Sequence, residues 1–331
     1  MLDSVDDTIK HSQEDIERIL CNYWETIMSK RTTNTLPNPI SSTQVSVNSI
    51  QRRMPEAACT QLGSGSDHID RGTDEGLNQF VSCEAILESI KTFKLSKAPG
   101  IDGFPIEFYD ALAKNKDSTI VKLLQKVYIR AYKTGELPPS MRKAQIRLLY
   151  KKDTQEDKKF PKNYRPIALL SVEYKVLSKL LACKLGPHLY NILDNTQFCQ
   201  PGKEIGELIL YYQALIDECE RSHSEAALAF LDFEKAFDSV DHEFTFTMLQ
   251  AVGLPKEFIQ WAKLAFINTQ ACLIINGKRT PFFPLPGGGR QGDNLYPMIF
   301  AIVVQGLSAL ILNHPLIQGI VDMQGNSFRS P

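Results

Sequence analysis

Four acidic residues lie within ten positions of one another in the segment LDFEKAFDSVD, at Asp232, Glu234, Asp238 and Asp241. The first of them ends ALAFLDF (227–233), a short apolar run whose pattern predicts a buried strand. A carboxylate at the end of such a strand is costly unless it is paired or bound to a metal. Clustered carboxylates hold Mg²⁺ in two-metal phosphoryl transfer. The spacing therefore indicates metal-assisted phosphoryl chemistry. Surface acids at a helix start, with Asp238 or Asp241 as an N-cap, remain the alternative.

A cationic segment precedes this cluster. Residues 91–165 carry 18 Lys and Arg against 8 Asp and Glu, although the whole chain has a formal net charge of -1. Residues 1–90 carry 7 against 14, and residues 166–331 carry 12 against 16. Such a segment in an otherwise acidic chain indicates a polyanionic partner, either a nucleic acid or a nucleotide phosphate. A solvated helix face is the other interpretation that charge alone allows.

Composition excludes several classes of protein. The 331 residues are 43% hydrophobic and 23% charged, which is typical of a folded globular chain. The longest apolar run, 298–312, is interrupted by Gln305 and Gly306, so we expect no membrane span. Seven scattered cysteines without a C-x-x-C pair predict neither a disulfide framework nor a zinc ribbon. The acidic N-terminus lacks the pattern of a signal peptide, and we expect an intracellular protein.

Two regions are distinguished by periodicity. Residues 10–29 have helical spacing of apolar side chains, whereas 32–78 are rich in Ser, Thr, Asn, Gly and Pro. The second stretch is therefore expected to be largely disordered. This predicts a division of the chain into an N-terminal helix with a linker remnant (1–80) and a main domain (81–331).

Helical and extended patterns follow one another irregularly in the main domain. This order predicts a mixed α+β fold and disfavours a doubly wound one, although Gly287, Gly289 and Gly292 have dinucleotide-binding spacing. The predicted helices cover 83–94, 106–113, 118–134, 172–191, 204–222, 241–252, 256–267 and 295–312, and the predicted strands cover 144–152, 164–170 and a hairpin turning at Asn276-Gly277.

Four segments together resemble a known family. They are KAPGIDGFPIEFY (97–109), NYRPIALLSVEYKVLSKLLACKL (163–185), LDFEKAFDSVDH (231–242) and GRQGDNLYPMIF (289–300). Their order is that of the conserved blocks of reverse transcriptases from LINE-type, non-LTR retrotransposons, and the similarity covers about 82–331. The resemblance implies a right-hand polymerase fold and an RNA-directed DNA polymerase. Such an enzyme copies an RNA template from a DNA primer, using Mg²⁺ and deoxynucleoside triphosphates.

The resemblance also implies roles at the metal and beneath the nucleotide sugar. Asp232 is similar to the first catalytic, metal-binding aspartate, and the Phe233 carbonyl offers a further metal ligand. Phe237 matches the aromatic residue below the sugar, where a rigid ring clashes with an added 2′-hydroxyl. A core phenylalanine is the other interpretation of Phe237.

Further residues match nucleotide contacts of the family. Lys151 and Arg165 match residues that contact the triphosphate, and arginine is suited to bidentate phosphate binding. Gln291 and Gly292 resemble the motif beside the template base and the nucleotide. A loop that only leads into a helix is the alternative for this last pair.

The template strand has its own expected contacts. The residues that resemble template-binding positions are Lys97, Pro99, Gly100, Gly103 and Arg290, and the glycines among them would permit close backbone approach. A turn required only for folding is an equally open interpretation of 97–105.

The sequence also departs from the family. It reaches GNSFRSP at its last residues without the aromatic-Ala-Asp-Asp motif that carries the second metal-binding aspartate. Fingers and an incomplete palm without a thumb are therefore expected, and catalysis by this chain alone is not. The alternatives are a non-catalytic nucleic-acid-binding or interaction protein and a decaying transposon reading frame.

Overall fold

The structure is a computed structural model. It describes residues 1, 8–29, 54, 62, 74–151, 158–193, 202–223, 226–233, 235–317, 319–321 and 327–328. The helices are α1 (Gln13–Ser29), α2 (Asp74–Phe80), α3 (Cys83–Lys91), α4 (Ile106–Leu112), α5 (Thr119–Thr134), α6 (Pro139–Arg142), α7 (Val172–Leu185), α8 (Leu189–Ile192), α9 (Ile205–Ser222), α10 (His242–Ala251), α11 (Lys256–Lys263) and α12 (Tyr296–Asn313). The strands are β1 (Lys143–Tyr150), β2 (Tyr164–Leu170), β3 (Gln270–Ile275), β4 (Lys278–Arg279), β5 (Phe283–Pro284), β6 (Ile320–Val321) and β7 (Ser327–Phe328).

The main sheet is mixed. β1 pairs antiparallel with β2 and parallel with β3, while β4 and β5 pair antiparallel with β3. Buried residues alternate with more accessible ones along β2, as expected where one face of a sheet is covered. The mixed α+β prediction is confirmed. The strand before the glycines at 287–292, β5, is antiparallel, so these glycines do not open a Rossmann-type unit.

Most predicted elements form with boundaries shifted by a few residues. The Ser82 side chain accepts a hydrogen bond from Ala85 N at 3.2 Å and begins α3 as predicted. Asn276 and Gly277 both adopt positive φ, 49° and 82°, as a two-residue hairpin turn requires. The helix predicted over 172–191 is interrupted at 186–188 by a 3₁₀ turn that contains Pro187, because proline donates no backbone hydrogen bond.

The strand predicted at 227–233 is wrong. Residues 226–233 have no strand partner in the described part of the chain, and Phe230 and Leu231 are 82% and 75% exposed. An apolar run forms a strand only where a neighbouring strand takes its N–H and C=O groups. Helix α9, which precedes this run, has no buried residue within its described length. Apolar side chains of both segments therefore face outward.

The N-terminal helix belongs to the same core as the sheet. Trp24 of α1 is 1% exposed, and Gln13 Oε1 accepts a hydrogen bond from the Asn276 side chain at 2.6 Å. Phe80 of α2 stacks on Trp261 of α11 with ring centroids 5.5 Å apart. The predicted division near residue 80 thus has no counterpart in the packing of the described residues. The disorder predicted for 32–78 falls mostly outside those residues.

The last long helix, α12, is long and apolar enough to cross a membrane, with a mean hydropathy of 1.7. Half of it is buried inside the protein, and Ile299 and Ile302 are fully enclosed. A helix at the centre of a folded core is also apolar around most of its circumference, because most of that circumference is buried.

Candidate functional site

The β1–β2 hairpin presents three cationic side chains on one face. Residues directly opposite each other in an antiparallel pair share a face, as do alternate residues of one strand. Arg165 lies opposite Leu149, and Lys151 N donates to Asn163 O at 2.9 Å, so Lys151 and Arg165 share the face of Leu149. Arg147, two residues before Leu149, shares it too, and all three cations are exposed. The structure thus brings together the two predicted triphosphate contacts and adds Arg147.

The loop that contains Gln291 and Gly292 lies directly against β2. Ala168 N donates to Gln291 O at 3.2 Å. Gly292 has a φ of +105°, and a Cβ there would lie 3.2 Å from Ala168 O. Glycine at 292 is therefore required for the loop to reach the strand, while the exposed Gln291 side chain is free to contact a ligand.

Phe237 is held by the other end of the same loop, at Gly288 and Gly289. Gly289 N donates to Phe237 O at 2.9 Å, and a Cβ on Gly288 would lie 2.6 Å from the Asp238 backbone. The Phe237 ring stacks on Phe300 at 4.7 Å between centroids and is 38% exposed. The core interpretation is met in part, because one side of the ring packs on α12, and the contact with a nucleotide sugar stays a prediction.

Asp238 is half-buried, whereas Asp232 and Asp241 are exposed. It lines a cavity of about 30 Å³ together with Tyr296 and the Gln291 loop. Burial raises the pKa of Asp238 to about 6, against the opposing pull of Lys235 and Lys151. The buried Tyr296 hydroxyl has no hydrogen-bond partner among the residues that the structure describes, and burial raises its pKa with a further contribution from Asp238.

Asp241 is the N-cap of α10. Its side chain accepts from Phe244 N at 2.8 Å. The N-cap alternative is therefore correct for this one acid of the cluster. The Asp241 carboxylate stabilises the first turn of α10.

Asp232 and Phe233 lie on the surface. Both are exposed, and the Asp232 carboxylate has no hydrogen-bond or ion-pair partner among the described residues. Within those same residues no group of three or more His, Cys, Asp or Glu side chains could hold a metal ion. Mg²⁺ is often bound by one or two carboxylates together with substrate phosphates and water. The donors at 232 and 233 fit a metal that binds together with a triphosphate.

Helix α1 contacts Lys235, two residues before Phe237. The Lys235 ammonium lies 4.3 Å from the ring centroid of Tyr23 and 4.9 Å from that of Trp24, and it donates to Tyr23 Oη at 2.8 Å. Lys235 has a φ of +53°, a conformation that side-chain-bearing residues rarely adopt without support. The aromatic pair of α1 supplies that support.

Arg290 is buried, contrary to its predicted contact with a template. Its guanidinium donates to Met141 O at 2.8 Å and to Ala265 O at 3.3 Å, and it lies 3.8 Å above the Tyr174 ring. Only 6% of the residue is exposed. The geometry gives Arg290 a structural role, because a phosphate contact would require it to leave both carbonyls.

Asp293 completes this buried network. Its carboxylate accepts hydrogen bonds from the hydroxyls of Tyr174 and Ser178, and from Leu295 N at 2.7 Å at the start of α12. The sequence alone predicts no role for Asp293 or Tyr174. Their positions within two of the four characteristic segments were the available signal.

The loop predicted to follow the template packs on the start of α7. A Cβ on Gly100 would overlap the Ser171 backbone, whereas Gly103 has open space and a φ of +77°. Both glycines meet a requirement of the loop's own folding, and contact of this loop with a template stays a prediction. Lys97 is exposed and lines a cavity, and Pro99 lies beside it half-buried.

Residues 150–323 match the reverse transcriptase (RNA-dependent DNA polymerase) family, and this chain belongs to it. Members of this family act on a nucleic acid template with nucleotide substrates and use divalent metal ions. The fold is accordingly that of a polymerase.

Three relatives place the chain within the family. It is 29% identical over 255 residues to the transposon TX1 uncharacterized 149 kDa protein of Xenopus laevis, covering 77% of this chain and 19% of that protein. It is 28% identical over 219 residues to the Pol polyprotein of the type-2 retrotransposable element R2DM of Drosophila melanogaster, covering 64% and 19%. The probable RNA-directed DNA polymerase from transposon BS of the same species is 28% identical over 234 residues, covering 69% and 25%. The chain thus spans a quarter or less of the length of these relatives. Together with the family match, they show a reverse transcriptase domain of the LINE, non-LTR type.

Proposed function

We propose that this domain binds a deoxynucleoside triphosphate and its Mg²⁺ between the β1–β2 hairpin and the Phe237 ring, for RNA-directed DNA synthesis on a primer. The observation that carries the proposal is the set of backbone contacts around Phe237. The 287–292 loop is hydrogen-bonded to Phe237 through Gly289 and to β2 through Gln291. The loop is thus bonded both to Phe237 and to β2, the strand that carries Arg165, and this supports the proposal.

Each group in the pocket has a distinct task. Arg165 and Lys151 bind the triphosphate, and the open side of Phe237 lies below the sugar. Asp232 and the Phe233 carbonyl would hold the metal, which when bound neutralises triphosphate charge and assists attack by the primer hydroxyl. Gln291 offers a donor and an acceptor to the template base. Lys97 and Pro99 would lie along the RNA template.

The substitution Phe237→Ala tests this arrangement. Binding of dATP and of ATP to the chain with an RNA-template and DNA-primer duplex is measured by competition against a fluorescent deoxynucleotide. We expect the wild type to prefer dATP and Phe237→Ala to lose most of that preference, because the ring that clashes with the 2′-hydroxyl is gone. The preference of the wild type should exceed that of the variant by about tenfold or more.

Phe282→Ala is the matched control. Phe282 is 37% exposed, and Phe237 is 38% exposed. Phe282 lies next to β5 in the sequence, and the Lys143 ammonium lies over its ring. It should leave the preference for dATP unchanged. A Phe237→Ala variant that discriminates as well as the wild type would refute the proposed position of the sugar.

A second candidate function is non-catalytic binding of nucleic acid. It is favoured by the exposed, partnerless state of Asp232 among the described residues, together with the cationic character of 91–165. Primer extension separates the two candidates. Mg²⁺-dependent extension that Asp232→Asn abolishes supports the polymerase, whereas tight strand binding without any extension supports the second candidate.

A further inference from the structure

The Phe237 ring rests on two aromatic side chains of α12. Its centroid lies 4.7 Å from that of Phe300 and 5.7 Å from that of Tyr296. Residues four positions apart lie on the same face of a helix, which explains why both reach Phe237. Phe300 is half-buried, whereas only 3% of Tyr296 is exposed. Tyr296 is therefore the more deeply enclosed of the two supports.

Gly289 makes room for the Tyr296 ring. A Cβ at position 289 would overlap carbon atoms of that ring. The φ of Gly289 is not positive, so its backbone conformation by itself does not require glycine. Gly289 N also donates to Phe237 O at 2.9 Å. Tyr296 is thus linked to Phe237 in two ways, directly from ring to ring and through the backbone of Gly289.

Two anchors hold Tyr296 in place. Its ring lies 5.9 Å from that of the buried Phe266 in an edge-to-face arrangement, and Phe266 in turn lies 5.4 Å from Phe246 of α10. The Asp293 carboxylate accepts a hydrogen bond from Tyr296 N at 3.3 Å. Both the ring and the backbone of Tyr296 are therefore fixed to the core, which makes Tyr296 a rigid support.

We propose that Tyr296 is a positioning residue for nucleotide selection, whose ring sets the distance between Phe237 and the sugar above it. The inference rests on the proposed function, because it takes the open side of Phe237 as the floor below the sugar. Tyr296 is enclosed, so it acts through Phe237 and not on the nucleotide itself. Discrimination by a clash depends on where the clashing group lies. A Phe237 ring that settles toward the core would admit the 2′-hydroxyl and still bind dATP.

The substitution Tyr296→Leu tests this role in the competition assay with dATP and ATP. We expect the preference for dATP to fall about fivefold or more, while the affinity for dATP changes by less than about twofold. Tyr296→Phe retains the ring and should retain the preference. Phe237→Ala/Tyr296→Leu should discriminate no worse than Phe237→Ala, because without the Phe237 ring there is nothing left to position.

Tyr132→Leu is the matched control. Tyr132 is 6% exposed, and its ring packs on Trp261 with centroids 4.6 Å apart, so the same change is made in another part of the core. Its preference for dATP should equal that of the wild type, with circular dichroism to verify folding. If Tyr296→Leu also keeps the wild-type preference and only weakens the binding of both nucleotides, the role of Tyr296 is structural and the inference is overturned.

Gly289→Ala tests the same contact with a smaller change. The added methyl group would displace the Tyr296 ring, so the preference for dATP should fall in this variant too. Gly206→Ala is its control, because a Cβ at position 206 would meet no atom within 4 Å. It should discriminate as well as the wild type.

The two proposals fail in different ways. If Phe237→Ala keeps the wild-type preference for dATP, the proposed position of the sugar is wrong and the inference falls with it. If Phe237→Ala loses the preference while Tyr296→Leu and Gly289→Ala keep it, the inference alone is overturned and the sugar floor stands.

Discussion

At the scale of single residues, Asp238 gives the domain a defined dependence on pH. Burial raises the pKa of its carboxyl from 3.8 to about 6, so between those values the folded chain holds a proton that the unfolded chain has released. The contribution of this carboxyl to the free energy of unfolding is therefore fully present below about pH 4 and is lost as the pH rises through about 6. The ceiling of this effect is on the order of 2 to 3 kcal/mol.

The substitution Asp238→Asn should remove that part of the pH dependence. The amide keeps the shape of the side chain but does not ionise, so the variant should gain stability relative to the wild type at pH values above about 6 and little below about 4. Urea unfolding of both proteins at pH values from about 4 to above 6 measures this difference in the free energy of unfolding. Asp217→Asn on α9, an exposed aspartate, should follow the wild-type curve. A variant at Asp238 whose curve parallels the wild type would show that its carboxyl is ordinarily solvated.

At the scale of elements, α1 supports the chain at Lys235, just before Phe237. Lys235→Met keeps the alkyl stem but removes the ammonium from above Tyr23 and Trp24. We expect a loss of about 1 kcal/mol in the free energy of unfolding. We also expect faster amide hydrogen exchange at Asp238, whose N–H donates to Lys235 O at 2.8 Å.

Lys263→Met is the appropriate comparison for that experiment. The Lys263 ammonium lies 5.2 Å from the Phe246 ring centroid, so the same kind of contact is removed from another surface. Exchange at Asp238 should stay at its wild-type rate in this variant. Were exchange there equally unaffected in Lys235→Met, α1 would have no part in supporting the chain at Lys235.

At the scale of the whole molecule, local patterns predicted the elements well and their surroundings less well. The Ser82 cap, the Asn276-Gly277 turn and strand β2 follow from short-range chemistry that the sequence displays directly. The run at 227–233 has the composition of a buried strand, but burial depends on a neighbouring strand, which no local pattern reveals.

The candidate site shows the same limit. Lys151 and Arg165 could be predicted as a pair, and the strand register then explains why they share a face. Arg290 could not be placed, because its carbonyl partners Met141 and Ala265 lie far away in the sequence. Lys97 and Lys175 come from two separate segments, and only the packing of 92–98 against α7 brings them to one cavity.

The central claim is that Asp232 takes part in binding the metal that accompanies the nucleotide. Its most direct test is a titration of deoxynucleotide binding with Mg²⁺ in the wild type, Asp232→Asn and Asp217→Asn, each with the RNA-template and DNA-primer duplex. We predict that Mg²⁺ strengthens binding about tenfold in the wild type and in Asp217→Asn, and has little effect in Asp232→Asn. The same Mg²⁺ enhancement in all three proteins would contradict the account.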